Sequence, residues 1–333
     1  MRWRPHLATE LLITSPEMLR STTTIGLLIG ATMIASASAP AQRAGSAPTG
    51  NPPPRSSISE LWIEPGAARN LFDGPAGVAA SARPKVDGRF EIDSKDTAGF
   101  SATYKVRDAS GRKWNVKIGP EAQTEVVASR IAWAVGYHQV PSYFVERWLA
   151  VDKAKGQQLG GARFRPDDLR LKSRGTWSWL KNPFVGTAPY RGLLALMMIL
   201  NSTDLKDDNN TLYDVEGPPR EGASRYYVVK DLGASLGETG KMDPRRGYID
   251  GFEKEPFITG VDNGRVDFGF RGRHQELLEQ IRVEDVRWIC ERLQKVTDRQ
   301  WRDAFRAGNY SDEITARYVA RIRQKIKEGL ELK

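Results

Sequence analysis

An unbroken apolar run that ends in a cluster of carboxylates and amides constrains this chain more than any other stretch. Leu193–Leu200 reads LLALMMIL, eight consecutive apolar residues rich in helix formers, which specifies a buried helix. Directly after it come Asn201-Ser202-Thr203-Asp204-Leu205-Lys206-Asp207-Asp208-Asn209-Asn210, so oxygen-bearing side chains gather at the end of a core element. Thr211-Leu212-Tyr213, a polar Gly/Pro-rich turn over Glu216–Ser224 and the strand-like Tyr226-Tyr227-Val228-Val229 follow, closing on Lys230-Asp231-Leu232-Gly233. Two strands placed there bring Asp204, Asn209 and Asp231 to one rim.

Phosphoryl transfer needs such a set. One carboxylate orients or deprotonates the attacking hydroxyl, while an oxygen ligand and a second carboxylate hold Mg²⁺ on the phosphates. The N-terminal half carries complementary parts. Phe100–Val106 and Lys113–Ile118 read as strands joined by a turn rich in Asp, Ser and Gly. In the second, Trp114, Val116 and Ile118 share one face and Lys113, Asn115 and Lys117 the other. A helix follows at once: Pro120 suits a first turn, Glu121 favours the positive end of the helix dipole, and Val127, Ile131, Ala134 and Val135 form an apolar stripe. Gly136 is its stop.

A strand lysine, then Gln123–Pro141 (QTEVVASRIAWAVGYHQVP), then Asp204, Asn209 five positions on, and Asp231-Leu-Gly resemble the atypical protein-kinase-like fold of HipA-type bacterial kinases and phosphoinositide lipid kinases. The resemblance spans residues 100–236. It implies an α+β, bilobal fold: a small antiparallel β-sheet N-lobe with one helix, and a mainly helical C-lobe. By motif position it implies Lys117 as the nucleotide lysine held by Glu125, Asp204 as the catalytic aspartate, and Asn209 and Asp231 as Mg²⁺ ligands. ATP is the implied donor, and the hydroxyl of a protein or small molecule the acceptor. Leu205-Lys206 stands where a His often follows the catalytic aspartate, and the phosphate-covering loop is reduced to Ala98-Gly99-Phe100-Ser101. Gly99, Ser101, Lys105 and Lys117 are the expected phosphate contacts.

Length and composition allow one bilobal unit or two small domains, since 333 residues with 40% hydrophobic content and nine Trp can bury a sizeable core. The net charge of +9 favours anionic partners. No basic run is interleaved with aromatics, so nucleic-acid binding is not expected. Arg20, the apolar stretch from Ile25 to Ile34 and Ala39-Pro40-Ala41 read as a signal peptide over residues 1–41, with translation starting at Met1 or Met18. The apolar core is too short for a comfortable membrane span, so the expected product is periplasmic or secreted, with a membrane anchor only if the segment is not cleaved. Export makes ATP scarce. An inactive kinase-fold binding or scaffold protein of the cell envelope is therefore the alternative to an enzyme.

Residues 42–57 read as a disordered linker, 58–150 as the N-lobe with an N-terminal arm over it, and 151–333 as the C-lobe. Lys153–Gly161 reads as a turn, Arg163–Asp168 as a charged loop, and Trp177, Trp179 and Phe184 as core. Asn263-Gly264 marks a hairpin, and Arg271-Gly272-Arg273-His274 a solvated loop or phosphate donor before a helix over Gln275–Ile281. Helices are expected at Val283–Val296, after the capping box at Thr297, and after Ser311, with Arg317, Arg321 and Lys325 on a solvated strip. Cys290 sits in an apolar setting that disfavours a nucleophilic role. Three His and one Cys cannot build a His/Cys zinc site. A Ca²⁺ site from Asp204, Asp207, Asp208 and Asp231 lacks the alternating spacing and central glycine of a helix-loop-helix calcium loop.

Overall fold

The sequence alternation of the N-terminal half builds a sheet with one apolar and one charged face. A computed structural model describes residues 56–66, 69–75, 83–98, 100–167, 170–218, 221–240, 244–269 and 273–333. The expected signal peptide and residues 42–55 of the expected linker lie outside these. Strands β1 (Arg89–Asp96), β2 (Ala102–Asp108), β3 (Lys113–Ile118), β4 (Tyr143–Val145), β5 (Trp148–Asp152), β6 (Lys155–Leu159) and β7 (Ala162–Pro166) form one sheet in the order β4-β7-β3-β2-β1-β5-β6. It is antiparallel except for the parallel β1–β5 pair. Phe90, Tyr104, Trp114, Val116, Trp148 and Phe164 are buried together on one side. Trp148 and Phe164 meet edge-on with ring centroids 5.4 Å apart, a favoured aromatic geometry.

The other face is polar by register. Thr103 lies opposite Lys117 and Lys105 opposite Asn115, while β7 sets Arg163 beside Lys117 and Arg165 beside Asn115. Two expectations fail here. Residues 153–161 contain the strand β6 rather than only a turn, and Arg163–Pro166, read as a charged loop, is the buried strand β7. The expected N-lobe boundary at 150 therefore cuts β5, and the sheet runs on to Pro166.

Helix α1 (Glu121–Ala134) starts two residues after Gly119, whose φ of +128° turns the chain out of β3 in a conformation that L side chains rarely adopt. It is buried nearly all round, packed on the sheet and on α6 (Asp298–Ala307).

The C-terminal half is mainly helical. The LLALMMIL run forms most of α2 (Ala188–Ile199), capped by Thr187, whose hydroxyl accepts the Tyr190 N–H. It packs against α5 (Val283–Gln294) and α7 (Asp312–Leu330). Gly192 permits that approach: a Cβ there would lie 2.5 Å from the Trp288 ring. Strands β8 (Leu171–Ser173), β9 (Asn210–Val215) and β10 (Arg225–Val229) make a small sheet. After α3 (Ile249–Lys254), β11 (Ile258–Asp262) and β12 (Arg265–Phe268) form the expected hairpin, with Asn263 and Gly264 at φ 50° and 76°. The helix expected over 275–281 is only one turn, α4 (Gln275–Leu278).

The arm buries Leu61 and Leu71 in the main helical core, which also holds Val127 and Ile131 of α1, and Trp62 Nε1 donates to the Val135 carbonyl at 2.7 Å. One further reading is corrected. On α7 the basic strip turns inward: Arg321 and Lys325 are buried, and Lys325 Nζ donates to the Ile199 carbonyl and Asn201 Oδ1 at 2.9 and 2.7 Å. Among the described residues no helix is long and apolar enough to cross a membrane.

Candidate active site

β3 delivers Lys117, α1 delivers Glu121 and Glu125 one turn apart, and the segment after β10 delivers Asp231. Lys117 Nζ lies 3.0 Å from Glu121 Oε2, 3.1 Å from Glu125 Oε2, and 2.8 and 2.9 Å from the two Asp231 oxygens. The second Glu125 oxygen takes Arg163 Nε at 2.8 Å and Arg165 Nη2 at 2.6 Å. A single carboxylate, 1% exposed, thus holds three cations. Such multiple pairing offsets the cost of burying a carboxylate.

The electrostatics follow from this packing. Burial alone would pull the Lys117 ammonium down, but Glu125, Asp231 and Glu121 outweigh it and hold Lys117 above its ordinary value. For Asp231, burial pushes upward, yet the Lys117 ammonium and the Gly233 N–H keep it below the usual carboxylate range. Burial pulls Arg163 down to about 10, against the opposing pull of Glu125.

Beside this cluster opens a cavity of about 320 Å³, with Lys117, Asp231, Arg165, Lys230, Asn115 and Tyr213 in its wall. Gly233 lets α1 approach: a Cβ there would meet Glu121 Cβ at 2.6 Å. Glu121 also accepts the Ser101 hydroxyl at 3.0 Å and Arg246 Nε at 2.8 Å. The Arg246 guanidinium lies 3.7 Å from the Phe100 ring centroid, a cation–π contact joining the β1–β2 loop to the segment after Asp231.

The remaining expected residues distribute unevenly. The Asn209 side chain donates to the Asp204 carbonyl at 2.6 Å, and the Asn209 carbonyl accepts the Lys230 and Asp231 N–H groups at 2.7 and 3.2 Å. The acidic loop is thereby tied to Asp231. The Asp204 carboxylate instead pairs with Lys206 at 2.9 Å and does not line the cavity. Lys105 is exposed on β2 outside the lining, Ser101 faces Glu121, and Gly99 lies outside the described residues. Sequence reasoning missed Glu121, Arg163, Arg165 and Lys230. The alternation Arg-Phe-Arg of residues 163–165, polar-apolar-polar next to a Gly-Gly pair, was the available signal for a strand with both arginines on one face.

Among the described residues, no group of three or more His, Cys, Asp or Glu is arranged to hold a metal ion by itself. Asn209 and Asp231 offer hard oxygen donors, the chemistry Mg²⁺ takes when phosphate and water complete its shell. Asp231 lines the cavity with both oxygens on Lys117, and Asn209 stands outside the lining, tied to Asp231 through its backbone carbonyl.

No family model and no curated relative matches this chain. Among solved structures it is similar to the crystal structure of a Helicobacter pylori proinflammatory kinase, CtkA, at 11% identity and a TM-score of 0.34, covering 75% of this chain and 100% of that one. The likeness is distant and carries no further argument; with a sheet-plus-helix N-terminal half and a mainly helical C-terminal half, the chain has the expected α+β character.

Proposed function

We propose that this chain is a kinase-like phosphotransferase that moves a phosphoryl group from a magnesium-bound phosphoanhydride, ATP in the implied case, to a hydroxyl acceptor. One observation carries the reading: Lys117 is gripped by Glu121, Glu125 and Asp231 at the wall of an open polar cavity. Lys117 neutralises charge on the donor phosphates, Glu125 holds it in place, and Asn209 and Asp231 offer oxygens to the metal. Bound Mg²⁺ supplies charge neutralisation on the phosphates. Asp204, which pairs with Lys206 outside the cavity lining, is assigned the acceptor's hydroxyl proton by motif position, as the acceptor oxygen bonds to phosphorus and the phosphoanhydride P–O bond breaks. Export to the periplasm or medium belongs to the same proposal and rests on residues 1–41.

The test is Mg²⁺-dependent consumption of the donor by the full chain. Lys117→Ala should lower it by on the order of 10²-fold or more, as loss of one preorganised charge-stabilising group does, and Asp231→Asn should abolish it. Activity unchanged in both variants would remove the assignment. A second reading, an inactive kinase-fold binding protein, is favoured by one observation: both Asp231 oxygens are taken by Lys117, and Asp204 is paired to Lys206 away from the cavity. That reading predicts no turnover in any variant.

A further inference from the structure

The wall of the cavity differs from what a purine needs. A base-binding slot is lined mainly by apolar and aromatic groups with a few placed polar ones. Here the strand face over the cavity carries Thr103, Asn115, Lys117, Arg163 and Arg165, because the apolar residues of β2, β3 and β7 all turn into the aromatic core on the opposite side. From below, Lys230 enters directly before Asp231. Among the described residues the apolar side chains in the wall are Pro166, Leu171 and Tyr213.

The charges are also unevenly matched. Lys117, Arg163, Arg165 and Lys230 line the cavity against Glu125, Asp167 and Asp231. Glu125 is shared by three of the cations and Asp231 is turned to Lys117. Asp167 is exposed. Arg165 Nη2 is spent on Glu125 and the Lys230 carbonyl, at 2.6 and 3.0 Å, while its buried Nε has no hydrogen-bond partner among the described residues. Nor does any described carboxylate form an ion pair with Lys230 Nζ.

We infer that the cavity takes a compact inorganic oligophosphate in preference to a nucleoside triphosphate, with Lys230 and Arg165 receiving one of its phosphates beside Asp231. The inference rests on the proposed phosphotransferase reading and narrows its donor. Charge-assisted contacts from ammonium and guanidinium groups suit phosphate oxygens, and few apolar side chains stand in the wall to hold a base.

The test is calorimetric titration of the full chain with MgCl₂ and either sodium tripolyphosphate or ATP. Tripolyphosphate should bind at least tenfold more tightly than ATP, a difference of 1.4 kcal/mol. Lys230→Gln should erase that preference and Lys230→Arg should keep it, while circular dichroism checks that both variants fold. Equal or tighter ATP binding, or a preference that survives Lys230→Gln, would overturn the inference and leave the phosphotransferase reading in place provided Asp231→Asn removes the Mg²⁺ dependence. Failure of both ligands to bind would overturn the two together.

Discussion

Removing the shared carboxylate at the centre of the site is the sharpest perturbation available. In Glu125→Ala, Lys117, Arg163 and Arg165 lose the group that now lies 3.1, 2.8 and 2.6 Å from them. Lys117 keeps Glu121 and Asp231, but Arg163, only 3% exposed, is left with uncharged Asn115 oxygens. Breaking a buried ion pair from one side costs about 3–5 kcal/mol, because the partner stays buried without counter-charge. For a unit the size of Pro54–Lys333 that is roughly 5–9 °C in melting temperature, measurable by differential scanning calorimetry. The isosteric Glu125→Gln should lose a good part of the same amount, since it keeps volume and one acceptor but no charge. Adding Arg163→Met to Glu125→Gln removes one stranded cation, so the double variant should be more stable than the sum of the singles by about 0.5–3 kcal/mol. A fall of less than about 2 °C in Glu125→Ala, well below the range expected from such a loss, would refute the claim that this carboxylate organises the three cations.

Other outcomes follow from the same packing. Gly233→Ala drives a Cβ to 2.6 Å from Glu121 Cβ, and overpacking of this kind should cost about 1–3 kcal/mol and weaken any Mg²⁺-dependent ligand binding. Lys325 is held far below the ordinary lysine value by burial and by Arg321; the unfolded chain therefore binds more protons, and stability should rise with pH up to about 10.4, a slope that Lys325→Met removes. Asp231, held below the usual range, contributes stability that is present above about 3.9 and lost as pH falls through its folded value, so Asp231→Asn should flatten the acid limb of urea unfolding. Burial pushes the Cys290 thiol up to about 12, and a thiol reagent should modify it only after denaturant is added.

The order of the elements was legible in the sequence wherever one periodicity dominated. Lys117 and Glu125 meet because strand alternation and helix spacing each fix a direction, and Asp231 arrives at the same point from an aromatic, β-branched strand. Three of the residues that sequence reasoning missed, Glu121, Arg163 and Arg165, are charged groups in a buried helix and a buried strand. Arg163 and Arg165 read as loop because charge is a proxy for exposure, and that proxy fails where a carboxylate such as Glu125 supplies the counter-charge from another element. Lys325 fails the same proxy for a different reason: α7 packs on several helices at once, so a strip beside the apolar one is also interior, facing the carbonyl end of α2. Asp204 had the right spacing, but spacing along a loop does not fix side-chain direction, and its carboxylate turns to Lys206.

The central claim, a metal-dependent phosphate site built on Lys117 and Asp231, is tested most directly by a thermal-shift titration of the full chain with MgCl₂ and tripolyphosphate or ATP, beside Asp231→Asn. Ligand binding to the folded state adds about 2.7 kcal/mol at a hundredfold excess over Kd. The account predicts a rise in melting temperature that needs Mg²⁺ and disappears in the variant. No rise with either ligand at millimolar concentration, or a rise that Asp231→Asn leaves intact, would contradict it.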